Sequence, residues 1–85
     1  MKILLHKQFE KQYKKLPKPI KEQLRKRILL LVEDETHPLL HVHQLTGKKL
    51  QYESMNVNAN YRALFTRSKT EFIFYEIGTH SELYS

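Results

Sequence analysis

The sequence predicts an α+β domain: one small antiparallel sheet with two N-terminal helices packed on one of its faces, in the order β-α-α-β-β-β. Three observations predict it. Apolar residues recur at helical spacing between Phe9 and Leu31. After Pro38 the pattern turns to the two-residue alternation of strands. The segments of that second half are joined by short turns, and strands so joined run antiparallel. A sheet and a helix each carry one apolar side, and laying helices on a sheet buries both.

Lys2 to His6 is short and apolar and reads as a first strand. From Lys7 the period changes: Phe9, Tyr13 and Leu16 are spaced i, i+4, i+7, the stripe of a short helix. Leu16-Pro17-Lys18-Pro19 breaks it, because a proline disfavours helical geometry in the residue before it. Pro19 then suits the first turn of a second helix, running from Pro19 to Glu33. Ile20, Leu24, Ile28 and Leu31 form its buried stripe, and Leu29, Leu30 and Val32 are expected to widen it. Asp34 to Pro38 reads as a loop.

His41 to Leu45 alternates like a strand, and Gly47 marks a turn. Gln51 to Val57 reads as the next strand, followed by a turn rich in asparagine (Asn56, Asn58, Asn60). Tyr61 to Arg67 is a further strand, and Ser68-Lys69-Thr70 a turn. Glu71 to Ile77 carries the strongest strand pattern. Its alternation places Phe72, Phe74 and Glu76 on one side and Ile73, Tyr75 and Ile77 on the other, with Gly78 ending it.

At 85 residues the chain holds one domain, and 40% apolar residues suffice for one core. There is no cysteine, which removes disulfides and thiolate metal sites and fits a reducing compartment. The N-terminal apolar run is too short for a signal peptide, and no stretch approaches a membrane span, so a cytoplasmic protein without membrane attachment is expected. The net charge of +6 and a pI near 9.7 favour a polyanionic partner. Ten of the fifteen Lys and Arg residues lie between Lys2 and Arg27. Lys11, Lys14, Lys15, Lys18, Lys21, Arg25, Lys26 and Arg27 make a dense basic surface on the two helices, with Glu22 the one acid among them. That exceeds what solubility requires and reads as an electrostatic footprint for RNA or for an acidic protein segment.

Four segments together resemble the RelE/YafQ-like toxins of toxin–antitoxin pairs, over nearly the whole chain. Leu16-Pro17-Lys18-Pro19-Ile20 with the basic helix behind it resembles the family's N-terminal half. His43-Gln44-Leu45-Thr46-Gly47 resembles its His-x-Leu-x-Gly segment, and Asn60-Tyr61-Arg62-Ala63-Leu64-Phe65 its Tyr-Arg strand. Ile77-Gly78-Thr79-His80-Ser81-Glu82-Leu83-Tyr84 resembles its Gly-Thr-His-x-x-Leu-Tyr/Phe ending. The resemblance implies a small antiparallel sheet with helices on one side. It also implies a toxin of a type II pair, an endoribonuclease that cuts messenger RNA, usually on the ribosome, and is neutralised by a cognate antitoxin. The toxin alone is expected to be a monomer. The chain departs from the YafQ-like pattern where that pattern has a second histidine and an aspartate. Here Asn56 and Asn60 stand in those places, and neither exchanges a proton near neutral pH.

Metal-free RNA cleavage needs a base for the 2′-OH, a cation for the phosphorane and an acid for the departing 5′-oxygen. Histidine, with an ordinary pKa of about 6.5, serves as acid or base. Of His6, His37, His41, His43 and His80, the resemblance singles out His43 and His80, with His80 the acid and His43 the base, or the reverse. The resemblance implies that Arg62 is the phosphate-binding fork, although the alternation alone permits a solvent-facing arginine. Tyr84 either stacks on a base, lends its hydroxyl to proton transfer or docks on the sheet. Lys48 and Lys49, in the turn after Gly47, and Lys14, Lys18, Lys21 and Arg25, on the helices, are candidate RNA contacts. Tyr61 and Tyr52 are packing residues with RNA stacking as a second role. His41-x-His43 has a spacing that suits zinc, with a third ligand to come from His80 or His37, but no cysteine or HxxEH-type pattern supports it, and neither a metal nor another cofactor is expected. Two other functions remain open: a ParE-like toxin of the same fold acting on DNA gyrase, and a non-catalytic module that binds nucleic acid or an antitoxin.

Overall fold

A computed structural model describes residues 1–84. The chain runs β1 (Lys2–Leu5), α1 (Lys7–Lys14), α2 (Lys18–Glu33), β2 (His43–Gln44), a single 3-10 turn (Gly47–Lys49), β3 (Glu53–Asn56), β4 (Tyr61–Arg67), β5 (Glu71–Thr79) and α3 (His80–Tyr84). The strands form one sheet in the order β1-β5-β4-β3-β2. The α+β class agrees with the sequence reading, as does the order of one strand, two helices and then the later strands, of which there are four.

The antiparallel expectation holds from β2 to β5 and is corrected at β1, which lies parallel to β5 with Ile3 opposite Phe72 and Leu5 opposite Phe74. No tight turn links β1 to its neighbour. Both helices intervene and carry the chain across the sheet to its other edge, so nothing forces the direction to reverse.

α1 starts where His6, in extended geometry, accepts the Gln8 N–H on its Nδ1 at 3.2 Å. It stops before the proline pair, and Pro19 sits in the first turn of α2. Phe9, Leu24 and Leu31 are fully buried against Met55, Ala63, Phe65, Phe72, Phe74 and Ile77, with Ile20, Ile28 and Leu30 packed at the margin. Leu29 and Val32 do not widen the stripe: they are 63% and 41% exposed. They turn away from the Leu24–Leu31 side, where the sheet lies.

The expected alternation along β5 is also corrected. Leu64 pairs with Glu76 but Phe65 pairs with Phe74, so Tyr75 is an extra residue, a β-bulge. Beyond it the two faces exchange. Ile77 joins Phe72 and Phe74 in the core, and Glu76 turns to the opposite face, where it pairs with Lys49 at 3.1 Å. Nor does Gly78 end the strand, which continues to Thr79. A Cβ on Gly78 would lie 3.1 Å from Glu82 Oε1 and 3.5 Å from Leu83 Cδ2. Its missing side chain leaves space for α3 to fold back on the sheet.

The face away from α1 and α2 carries a second, smaller cluster of Leu45, Leu64 and Leu83, flanked by Tyr52 and Tyr84. β2 is shorter than the alternation suggests, because His41 takes a left-handed backbone (φ 46°) and the ladder begins only at His43. The 34–38 loop is tied down by Arg67, whose guanidinium grips Glu53 in two bonds (2.7 and 2.9 Å) and also bonds Glu35. Glu53 and then Glu35 hold the Arg67 pKa above its ordinary value, so this cation is committed to structure.

Candidate active site

Period-two alternation decides which side chains face away from the helices. Met55 and Ala63 enter the core, so Ser54, Asn56, Arg62 and Leu64 project from the other side. There a cleft of about 230 Å³ is lined by His41, His43, Asn56, Arg62, His80 and Tyr84. The four residues expected to carry chemistry, His43, Arg62, His80 and Tyr84, therefore share one cavity although they span 42 positions of sequence.

His43 stands at the start of β2. Its Nδ1 lies 2.9 Å from the His41 carbonyl oxygen. A carbonyl only accepts, so Nδ1 carries the hydrogen, and in the neutral ring the lone pair is on Nε2. The His41 ring packs beside it, with centroids 4.7 Å apart.

Arg62 is held from its own end of β4. Its Nη1 donates to the carbonyls of Asn58 (2.8 Å) and Tyr61 (3.0 Å). No carboxylate pairs with it among the described residues, in contrast to Arg67. One side of the fork is anchored, and its charge is uncompensated in a half-buried setting where Coulomb forces are stronger than in water.

The asparagine-rich turn sets these positions. Asn58 Oδ1 accepts the N–H groups of Asn60 (2.8 Å) and Tyr61 (2.7 Å), and its Nδ2 donates to Gln23 Oε1 on α2 (2.8 Å). The Asn60 carbonyl then receives the His80 N–H at 2.9 Å. Asn60 thus places the start of α3.

α3 was not anticipated, although the sequence carries its signal in Thr79-His80-Ser81-Glu82, a capping box. Glu82 Oε1 accepts the Thr79 N–H (2.7 Å), and Thr79 Oγ1 accepts the Glu82 N–H (3.2 Å). The backbone and hydroxyl of Thr79 hold the Glu82 carboxyl below the ordinary glutamate range. A depressed carboxyl pKa means the cap contributes above the unfolded-state pKa and is lost as pH falls below it. This turn sets His80 against Tyr84, edge to face, with centroids 4.6 Å apart. The Tyr84 hydroxyl donates to Ser54 Oγ at 2.9 Å, beneath the cleft, where Ser54 is fully buried.

The remaining candidates are more scattered. Lys48 and Lys49 line an adjoining groove of about 280 Å³ that shares Tyr84 with the cleft, and Lys49 is engaged by Glu76. Tyr61 is half-buried against the core. Lys14, Lys18, Lys21 and Arg25 belong to α1 and α2, across the sheet from the cleft, with Lys21 over the Tyr13 ring. Among the described residues no three His, Cys, Asp or Glu side chains come together in a way that could hold a metal ion. No described helix is long and apolar enough to cross a membrane.

Two lining residues escaped the sequence reading as participants. His41 reads from the sequence only as a strand residue and half of a zinc-like pair, because nothing local reveals the left-handed backbone that takes it out of the ladder. Asn56 stood out only as the loss of a proton-exchanging group. In the structure its Oδ1 is buried at the cleft with no hydrogen-bond partner among the described residues, a cost that a bound donor would relieve.

No protein-family model and no curated protein sequence matches the chain. Solved structures do match its fold. The YafQ structure from E. coli superposes with a TM-score of 0.81 at 23% identity, over 98% of this chain and 97% of that one. The E. coli DinJ–YafQ toxin–antitoxin complex gives 0.75 at 24% identity, over 98% and 96%. The RelB–RelE antitoxin–toxin complex of Methanococcus jannaschii gives 0.73 at 20% identity, over 95% and 94%. The chain has the fold of the RelE/YafQ-like toxins over essentially its full described length.

Proposed function

We propose that this chain is the toxin of a type II toxin–antitoxin pair and acts as an endoribonuclease on messenger RNA without a metal. The observation that carries this reading is one cleft holding three histidines, His41, His43 and His80, an arginine with no carboxylate partner among the described residues, and a tyrosine, on the sheet face away from the helices. The shared fold supports the toxin role, and the neighbours crystallised with antitoxins support a cognate antitoxin as partner.

The chemistry follows from the groups. His43 Nε2 takes the 2′-OH proton. The 2′-oxygen attacks the adjacent phosphorus, and Arg62 stabilises the charge that builds on the phosphorane oxygens. Protonated His80 gives its proton to the departing 5′-oxygen as the P–O bond breaks. The products are a 2′,3′-cyclic phosphate and a 5′-OH. Tyr84 orients the His80 ring through their edge contact, its own position fixed by Ser54. Asn56 Oδ1 accepts a hydrogen bond from the nucleotide in the cleft. Messenger RNA on the ribosome is the substrate, and the cations of α1 and α2 meet ribosomal RNA or the antitoxin on the opposite side of the molecule. The site of action is the cytoplasm.

Primer extension on a reporter messenger RNA, after brief induction, tests the reading. Wild type is expected to produce cuts at discrete positions, and His80→Ala to reduce them by roughly 10²-fold. Growth arrest with intact messenger RNA would instead favour a gyrase-directed toxin, and intact messenger RNA with normal growth a binding module. Asn56→Ala separates substrate binding from folding. It removes a buried, unpaired acceptor, so the urea midpoint should hold or rise, while cleavage falls about tenfold for loss of one substrate hydrogen bond.

A further inference from the structure

Three aromatic rings cross the sheet face that α1 and α2 leave open. The His6 and Tyr75 centroids are 5.2 Å apart with planes at 34°, and those of Tyr75 and Tyr52 are 5.4 Å apart at 44°. His6 is exposed, and Tyr52 and Tyr75 are half-exposed. Tyr75 keeps the open face that alternation from the buried Phe74 gives it, and as the bulged residue of β5 it is followed by Glu76 on that same face. Tyr52 rests on the Leu45–Leu64–Leu83 cluster, whose Leu45 and Leu83 also floor the 280 Å³ groove with Lys48 and Lys49 on its wall. That groove shares Tyr84 with the catalytic cleft. Cleft, groove and aromatic row therefore follow one another across the same face.

The geometry points to this row and groove as a binding track for the single-stranded RNA that flanks the scissile bond, with bases stacking on Tyr75 and Tyr52. The inference rests on the ribonuclease reading and adds to it a second contact region outside the cleft. Single-strand binding surfaces combine aromatic rings, which accept any base face, with cations spaced for the backbone. Both are present. Lys48 makes no ion pair among the described residues, and Lys7 follows His6. Glu76, the acid that turns to this face beside Tyr75, is matched by Lys49. The net charge of +6 favours a polyanion over an acid-poor protein surface. Apolar residues on the groove floor suit a base, which gains by leaving water, while its phosphate stays at the lysine rim.

The test uses the purified chain and a fluorescently labelled 2′-O-methyl oligoribonucleotide of about eight residues, which cannot be cleaved because its 2′-oxygens are blocked. Tyr75→Leu keeps apolar bulk but has no ring face. It should weaken binding roughly tenfold, in line with the loss of one stacked base. Tyr75→Trp should restore wild-type affinity, which a merely destabilised variant would not show. A probe of equal length whose outer residues are abasic keeps its phosphates, and should bind wild type and Tyr75→Leu alike. Cleavage of the unmodified RNA is measured on the same preparations. If wild type cleaves and binds, but Tyr75→Leu binds the intact probe equally well, the track is overturned and the ribonuclease reading stands; that result is also expected if a protein partner, not RNA, covers the row. If wild type neither binds nor cleaves RNA, the ribonuclease reading fails and the track falls with it.

Discussion

Arg62→Ala is expected to lower cleavage of messenger RNA by about 10²-fold or more while the protein stays folded. The argument is electrostatic. A phosphorane carries more negative charge than the phosphodiester it forms from, so a cation held in place stabilises the transition state more than the ground state. Arg62 is held by two backbone carbonyls and has no carboxylate partner among the described residues. Its fixed position avoids reorganisation during the reaction. A 10²-fold loss corresponds to about 2.7 kcal/mol, the size expected for one preorganised donor. Arg62→Lys should recover little, because an ammonium has neither the planar fork nor the reach to keep the Asn58 and Tyr61 contacts while meeting a phosphate. Rates of appearance of the cyclic-phosphate product, compared at equal concentrations of folded protein, decide the matter. A rate within twofold of wild type for Arg62→Ala would remove arginine from the mechanism.

Phe74→Ala is expected to cost about 3–5 kcal/mol and to leave much of the chain unfolded at 37 °C. Phe74 is wholly buried in β5, with its ring 5.5 Å from Phe9 of α1 and 5.3 Å from Phe65 of β4. It therefore joins helix layer to sheet, and truncation leaves a cavity at that junction. An 85-residue domain has little margin to absorb it. Urea unfolding followed by circular dichroism measures the loss. Leu29→Ala, at an exposed position of α2, is the matched control and should shift stability by no more than about 0.5 kcal/mol. A Phe74→Ala loss as small as that of the control would mean the core is organised otherwise.

Much of the candidate cleft was legible in the residues. His43, Arg62, His80 and Tyr84 were named from their segments, and the structure brings all four to one cavity. Asn56 was not legible as a participant, because what distinguishes it is an oxygen buried without a partner among the described residues, and partners across a fold leave no trace in a neighbouring residue. The helix cations show the reverse case. Lys14, Lys18, Lys21 and Arg25 stand out by composition, yet composition says nothing of which side of the sheet their helices cover.

Local periodicity and turn chemistry by themselves determined the α+β class, the two helices with their break at Pro17–Pro19, and the antiparallel run of the later strands. These depend on near neighbours: helical spacing, the restricted backbone of proline, and short turns that return the chain on itself. Only the tertiary structure decided what non-local pairing controls. The parallel seat of β1 follows from where two helices deliver the chain. The outward turn of Glu76 and the inward turn of Ile77 follow from a register shift against β4, because a bulge inverts every later side chain in a strand of period two. The convergence of His43 and His80 needs β2 and α3 to meet at one end of a sheet, with the His41 carbonyl orienting His43 and the Asn60 carbonyl anchoring His80.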